Sequence, residues 1–420
     1  MANLQSLLPS ILVVALSCLL YYRGQALYMF YKNDPGRLPR INTFSSHEIK
    51  FADRVRSCED ALIVESRGVA IVACDAGRER WNTVMGIFLE PVHSANLYVY
   101  DYKDASTADG SALQQVELVG FDGKDDFHTL GLAFDEASGT LFAVSHARAG
   151  SRIERFTLDL AELTATHTGT IRHPRIRAPN SIALVNAHEL YVTNDHFFVA
   201  RRSRWLSKLE TMLALPLGAV VHVKLGEGEE EEEADESGGG GRGGNGNGEE
   251  TKPLPVSVRV VARVAFANGI HMLNATTVAV AACSRAAVYL YQRQQDDASL
   301  AFKTSFRVPF LPDNLSVHGG KLYLAGHPHF PSLARFTQTR RVCNEPVELA
   351  KASPSVQEYC QSGAAAPSWV AEWSEEGGLR SLYAGTEYPS SATAAKDPSR
   401  GVGIVAGLYA RGLLVWRDEV

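Results

Sequence analysis

One short pattern recurs six times along this chain, and that recurrence limits its fold more than any other feature. Each copy opens on a polar residue, runs as an apolar strand, turns and runs again. The clearest copy is Pro179-Asn180-Ser181-Ile182-Ala183-Leu184-Val185, answered by Glu189-Leu190-Tyr191-Val192-Thr193-Asn194. Glu59-Asp60 opens another, before Ala61-Leu62-Ile63-Val64. His128-Thr129-Leu130 stands before Gly131-Leu132-Ala133-Phe134, and Asn268 before Gly269-Ile270-His271-Met272. Asp313-Asn314 precedes Leu315-Ser316-Val317. The weakest copy has Ser390-Ser391-Ala392-Thr393 after, rather than before, its apolar stretch 379–384. Third strands are expected at 96–100, 153–157, 220–223, 288–291, 334–336 and 413–416.

Six antiparallel units with period-2 patterning predict an all-β fold, a six-bladed β-propeller occupying 58–420. Radial repetition gives equivalent positions equal radii. The polar residues that open the first strands should therefore converge near the central channel.

The bulk numbers exclude some functions. With 420 residues and 45% apolar composition, the core is large. A net charge of −6 leaves no basic footprint for nucleic acid. None of the six cysteines forms a C-x-x-C pair, which speaks against zinc. Cys343 and Cys360 could close a surface loop if the chain is exported.

Residues 1–30 contain an uncharged apolar run at 7–22, read as an N-terminal hydrophobic helix serving as a retained signal anchor. Residues 31–57 read as a polar connector. A Gly/Glu-rich insertion at 226–250 interrupts two strands of the fourth unit, too polar to pack. Its acidic run lacks the turn residues of a Ca²⁺ loop. Residues 197–218 read as an amphipathic helix at the channel mouth, a lid, a membrane contact or a packed connector. Asn274-Ala275-Thr276 is a glycosylation sequon, and Asn314-Leu315-Ser316 also matches but should face inward.

The strand-opening set Glu59, Asn180, Asn268, Asp313 and Asn314 offers only oxygen acceptors, two of them carboxylates. That is the donor set of a hard cation such as Ca²⁺. A cation with open coordination polarises an ester or lactone carbonyl, and Glu59 or Asp313 could act as acid or base. His128, His146, His196 and His327 also lie near strand ends. No Gly-x-Ser-x-Gly elbow is present, which speaks against a serine hydrolase.

Cys58-Glu59-Asp60-Ala61-Leu62, Pro179-Asn180-Ser181-Ile182, Thr193-Asn194-Asp195-His196-Phe197-Phe198, Phe266-Ala267-Asn268-Gly269-Ile270, Pro312-Asp313-Asn314-Leu315-Ser316-Val317 and Gly326-His327-Pro328 resemble, in order, motifs of the serum paraoxonase/arylesterase family. The resemblance implies a propeller with two channel Ca²⁺ ions that hydrolyses lactones and aryl esters. It implies one ion on Glu59, Asn180, Asn268, Asp313 and Asn314. It implies a second on the Asp60 side chain and Leu132 carbonyl, at a site weakened by Ser181 where the family has Asp. Of the family's histidine dyad, Leu130 replaces the first member and His146 matches the second, so the catalytic set reads as Glu59, Asp313 and His146. The expected partners are a small hydrophobic lactone or ester, and a membrane through the N-terminal segment and 197–218. The expected location is the secretory pathway, although Arg23, Lys32 and Arg37 after the apolar run would by charge bias put the propeller in the cytosol. The rival readings are a non-catalytic Ca²⁺-stabilised binding propeller and a propeller lyase or synthase little dependent on Ca²⁺.

Overall fold

The computed structural model describes residues 4–104, 109–226, 253–363 and 366–418. Six of its sheets are blades around one axis, each built on four antiparallel strands; the second and fifth carry a short fifth strand at the outer edge, Glu117–Val119 and Ile41–Asn42, and a separate two-stranded ribbon joins Trp81–Asn82 to Ile87–Phe88. The first blade is Cys58–Val64, Val69–Cys74, Asn96–Asp101 and Leu113–Gln115. The second is Thr129–Asp135, Thr140–Ala147, Gly150–Asp159 and Thr164–Ile171; the third is Pro179–Asn186, Glu189–Asn194, Gly218–Leu225 and Val256–Val264. The fourth is Ala267–Asn274, Thr277–Ala282, Ala287–Arg293 and Leu300–Arg307; the fifth is Leu311–His318, Lys321–His327, Ser368–Ser374 and Gly378–Gly385. The sixth comprises Ser391–Asp397, Val402–Gly407 and Leu413–Arg417, and its outer strand is Ser46–Lys50 from the other end of the chain.

Burial follows radius. The second strands Val69–Cys74 and Thr277–Ala282 are buried throughout, so both faces select apolar residues. The outer strand Leu300–Arg307 is mostly exposed. The core is a ring of clusters between neighbouring blades: Phe156 and Leu97 join the first and second, Tyr191 and Val280 the third and fourth, Phe44 and Trp416 lie between the fifth and sixth.

Several boundaries differ from expectation. Residues 334–336 are not a strand but part of the helix Phe330–Asn344, capped by the His329 side chain and carrying Pro331 in its first turn. The fifth blade resumes at Ser368 after this helical excursion. The Gly/Glu-rich insertion joins the third and fourth strands of the third blade, not the fourth, and apart from Gly226 it lies outside the described residues. The connector is not merely a linker, since Ser46–Lys50 pairs with Leu413–Arg417 and closes the ring.

The helix expected over 197–218 spans only Arg204–Leu213, capped by Ser203. Its polar residues Ser207 and Glu210 face inward, while Trp205 and Met212 are 69% and 67% exposed. The reason is local: Glu210 accepts the N–H groups of Phe197 and Phe198 at 3.0 and 2.9 Å. Disulfides join Cys343 to Cys360 and Cys58 to Cys74, the latter beside Glu59.

The N-terminal helix is Leu4–Lys32. Its second half docks on the propeller. Tyr22 donates to Ala214 O at 3.0 Å, Arg23 Nη1 to Ser284 O at 2.5 Å, and Asn33 Nδ2 to Pro309 O at 2.6 Å. Among the described residues no helix is long and apolar enough to cross a membrane. The side chains of most of the run 7–22 lie outside those residues.

Candidate metal centre

All six inner strands slip register near their start, and those of the third and fourth blades slip again near their end. The slips span Glu59 in the first blade, Leu130-Gly131 in the second and Asn180-Ser181 in the third. They span Asn268-Gly269 in the fourth, Asp313-Asn314 in the fifth and Ala392 in the sixth. A bulge re-aims side chains that a regular strand would alternate between faces. Residues before these strands carry the local strain, with positive φ at Ser57, Phe266 and Ser390. The inner strands also crowd together. A Cβ on Gly269 would lie 2.5 Å from Asp313 O, and one on Gly131 would lie 2.7 Å from Asn180 O. Only glycine fits at these two close approaches.

The slips bring Glu59, Asn180, Asn268 and Asp313 into one buried cavity of about 50 Å³. Its walls are otherwise largely apolar, with Val84, Leu130, Phe266, Leu311 and Phe330 among them. Asn314 stands alongside: its Nδ2 donates to Glu59 Oε1 at 3.2 Å and to Thr393 Oγ1 at 3.0 Å. With that amide nitrogen engaged, its oxygen is left without a partner.

Four of these buried oxygens accept no hydrogen bond: Glu59 Oε2 and the Oδ1 atoms of Asn180, Asn268 and Asn314. An unpaired buried acceptor costs about 1–3 kcal/mol, and three of the four belong to residues lining one cavity, Glu59, Asn180 and Asn268, so they call for a common partner. Burial, then repulsion from Asp313 and Asp60, pushes the Glu59 carboxyl well above its usual range, although the Arg78 guanidinium opposes this. Burial pushes Asp60 up to about 6. Excess acceptors and crowded negative charge fit a hard cation. Among the described residues no group of three His, Cys, Asp or Glu forms a metal cluster, so the set is defined by its amide oxygens.

The residues expected to hold a second ion do not fit one as well. Asp60 and Ser181 have no orphaned oxygen. Asp60 Oδ2 accepts the Leu132 N–H at 2.7 Å, and Ser181 Oγ accepts the Ile270 N–H at 3.4 Å.

The histidines separate. His146 lies in another cavity, of about 370 Å³, with Thr83, Asp195, His196 and Arg177. Its Nε2 lies 2.5 Å from Pro179 O and its Nδ1 pairs with the Thr83 hydroxyl, so both nitrogens are engaged. Burial lowers its pKa to about 4. His128 pairs with Asp75 at 3.1 Å and lines neither cavity. His196 bridges Asp195, at 2.8 Å, and Thr211.

His327 is the histidine of the axial cavity. Its Nε2 lies 2.9 Å from Asp313 Oδ2, and its buried Nδ1 has no partner. If Nε2 carries the proton toward the carboxylate, Nδ1 presents a lone pair. Sequence alone named both residues without pairing them. The cross-strand register, with Pro312 opposite Gly326, is the signal that joins them.

Residues 86–230 match the model of the Arylesterase family. Serum paraoxonase/arylesterase 2 of Homo sapiens is 33% identical over 87 residues, 21% of this chain and 24% of that protein. The Rattus norvegicus counterpart is 32% identical over 88 residues, with 21% and 24% covered. The chain thus spans about a quarter of the length of the curated relatives it matches. The family match includes Asn180 and His196 but ends before Asn268 and Asp313. Among solved structures, a luciferin-regenerating enzyme gives a TM-score of 0.49 at 12% identity, over 89% of this chain and 96% of that one. A gluconolactonase from Xanthomonas campestris gives 0.48 at 13% identity, over 90% and 94%.

Proposed function

We propose that this chain, which resembles the serum paraoxonase/arylesterase family, is a Ca²⁺-dependent hydrolase of lactones and aryl esters. The observation that carries the reading is the set of orphaned acceptor oxygens on Glu59, Asn180 and Asn268, which share one cavity with Asp313. Glu59, Asn180, Asn268, Asp313 and Asn314 would hold the ion. When bound, Ca²⁺ supplies polarisation of a carbonyl and compensation for the negative charge that develops on it.

The chain's own groups do the rest. Leu130, Phe266 and Phe330 receive the apolar part of the ester. On this volume scale the cavity admits about three or four waters, which favours a small ring over a long acyl chain. Asp313 orients His327, and His327 Nδ1 takes the proton of the attacking water. Glu59 contributes negative charge to the ion's seat rather than proton transfer. His146, buried with both nitrogens engaged, lines the second cavity and takes no part in proton transfer.

The same reading places the N-terminal helix as an anchor in a membrane of the secretory pathway, with Trp205 and Met212 as further surface contacts. The exposed Asn274 would carry the glycan, whereas Asn314 is buried. One observation favours the non-catalytic alternative: Leu130 puts an apolar side chain into the axial cavity.

Turnover decides between them. Purified protein is assayed on γ- and δ-lactones and phenyl acetate, with a chelator and after Ca²⁺ is restored. Hydrolysis lost on chelation and regained with Ca²⁺ supports the enzyme. A Ca²⁺-dependent melting shift without turnover on any substrate supports the binding propeller, and turnover indifferent to chelation removes the cation from the mechanism.

A further inference from the structure

The inner-strand residues satisfy their oxygens in two different ways. At the axis, Glu59 Oε2 and three asparagine oxygens lack any donor. At Asp60 and Ser181, the protein itself supplies the donors. Asp60 Oδ1 accepts from the Ala61 N–H at 2.9 Å, and Oδ2 from the Leu132 N–H at 2.7 Å. The Thr393 hydroxyl shares its proton between Glu59 O at 2.8 Å and Asp60 Oδ1 at 3.1 Å. Ser181 Oγ accepts from the Ile270 N–H at 3.4 Å. The Thr193 hydroxyl spans Ser181, at 3.0 Å from its N–H and 3.3 Å from its carbonyl. These bonds stitch the sixth blade to the first, the first to the second, and the third to the fourth. A cation bridging inner strands would serve the same purpose.

We infer that this chain seats a single cation, at the axis, and that hydrogen bonds centred on Asp60 and Ser181 take the place of a second one. The inference rests on the axial reading proposed above. It differs from what the family resemblance implies, and the difference lies in residues of this chain.

The test counts metal rather than turnover. Full-length protein in detergent is stripped with a chelator and equilibrated with Ca²⁺. Bound calcium is then measured by mass spectrometry for the wild type, Ser181→Ala and Asn268→Ala, with circular dichroism to verify folding. The expected result is about one ion per chain in the wild type and in Ser181→Ala, falling to less than half in Asn268→Ala. Two ions per wild-type chain, or an ion lost on Ser181→Ala, overturns the inference and leaves the axial reading standing. No bound calcium in the folded wild type overturns both. If Asn268→Ala does not fold, the wild-type and Ser181→Ala counts still decide.

Discussion

Leu130 and His327 sit in the same small cavity and show how the chemistry of this site is distributed among single residues. Where the family resemblance leads one to expect a histidine, Leu130 contributes only apolar wall. His327, held by Asp313 at 2.9 Å, offers the free nitrogen instead. Replacing His327 by Gln should lower kcat by about 100-fold or more, leaving the calcium content and melting temperature near those of the wild type. His146→Gln should cost less than about 10-fold, because neither of its nitrogens is free. Equal losses in the two variants, read from steady-state kinetics, would contradict this assignment. The axial oxygens were legible in the sequence because radial repetition sends each strand-opening residue to one radius, and Asn180 and Asn268 show it directly. The Asp313–His327 pair was not. It depends on register across a hairpin, and periodicity fixes a face without fixing an opposite number.

At the scale of elements, Ser46–Lys50 supplies the outer strand of the sixth blade. It pairs along its whole length, from Ser46 opposite Arg417 to Lys50 opposite Leu413. A chain beginning at residue 40 should therefore melt in one cooperative transition. One beginning at residue 52 should lose that cooperativity and expose the sixth-blade edge, detectable as a broadened calorimetric peak and rapid amide exchange over 413–417. If both chains melt alike, the strand is dispensable. This strand is short and polar, and its partner lies at the far end of the sequence, so no local pattern announces it. The third strand of the fifth blade was hidden differently: the helices between Phe330 and Gln361 separate it from its hairpin. The helix Arg204–Leu213 was visible from its spacing, but its orientation was not. Glu210 is drawn inward by two backbone donors, and that leaves Trp205 outside.

For the whole molecule, buried titratable groups make stability depend on pH. Burial holds His146 at about 4, below the ordinary histidine value of 6.5. The unfolded chain therefore binds a proton that the folded chain refuses. The resulting stability is complete above the unfolded value and is lost as pH falls through about 4. Up to about 3 kcal/mol would go between pH 7 and 4. Denaturant titrations across that range should show the decline, and His146→Gln should flatten it; an unchanged slope in the variant would assign the decline to other groups. The closed ring has one more consequence, for synthesis. The sixth blade takes one strand from near the start of the chain and three from its last thirty residues. During translation the first five blades can form in sequence, but the leading strand has no partner until residues 413–417 leave the ribosome. Until then the growing polypeptide is an open arc. A premature stop anywhere before residue 413 would forfeit closure, however complete the first five blades were by then.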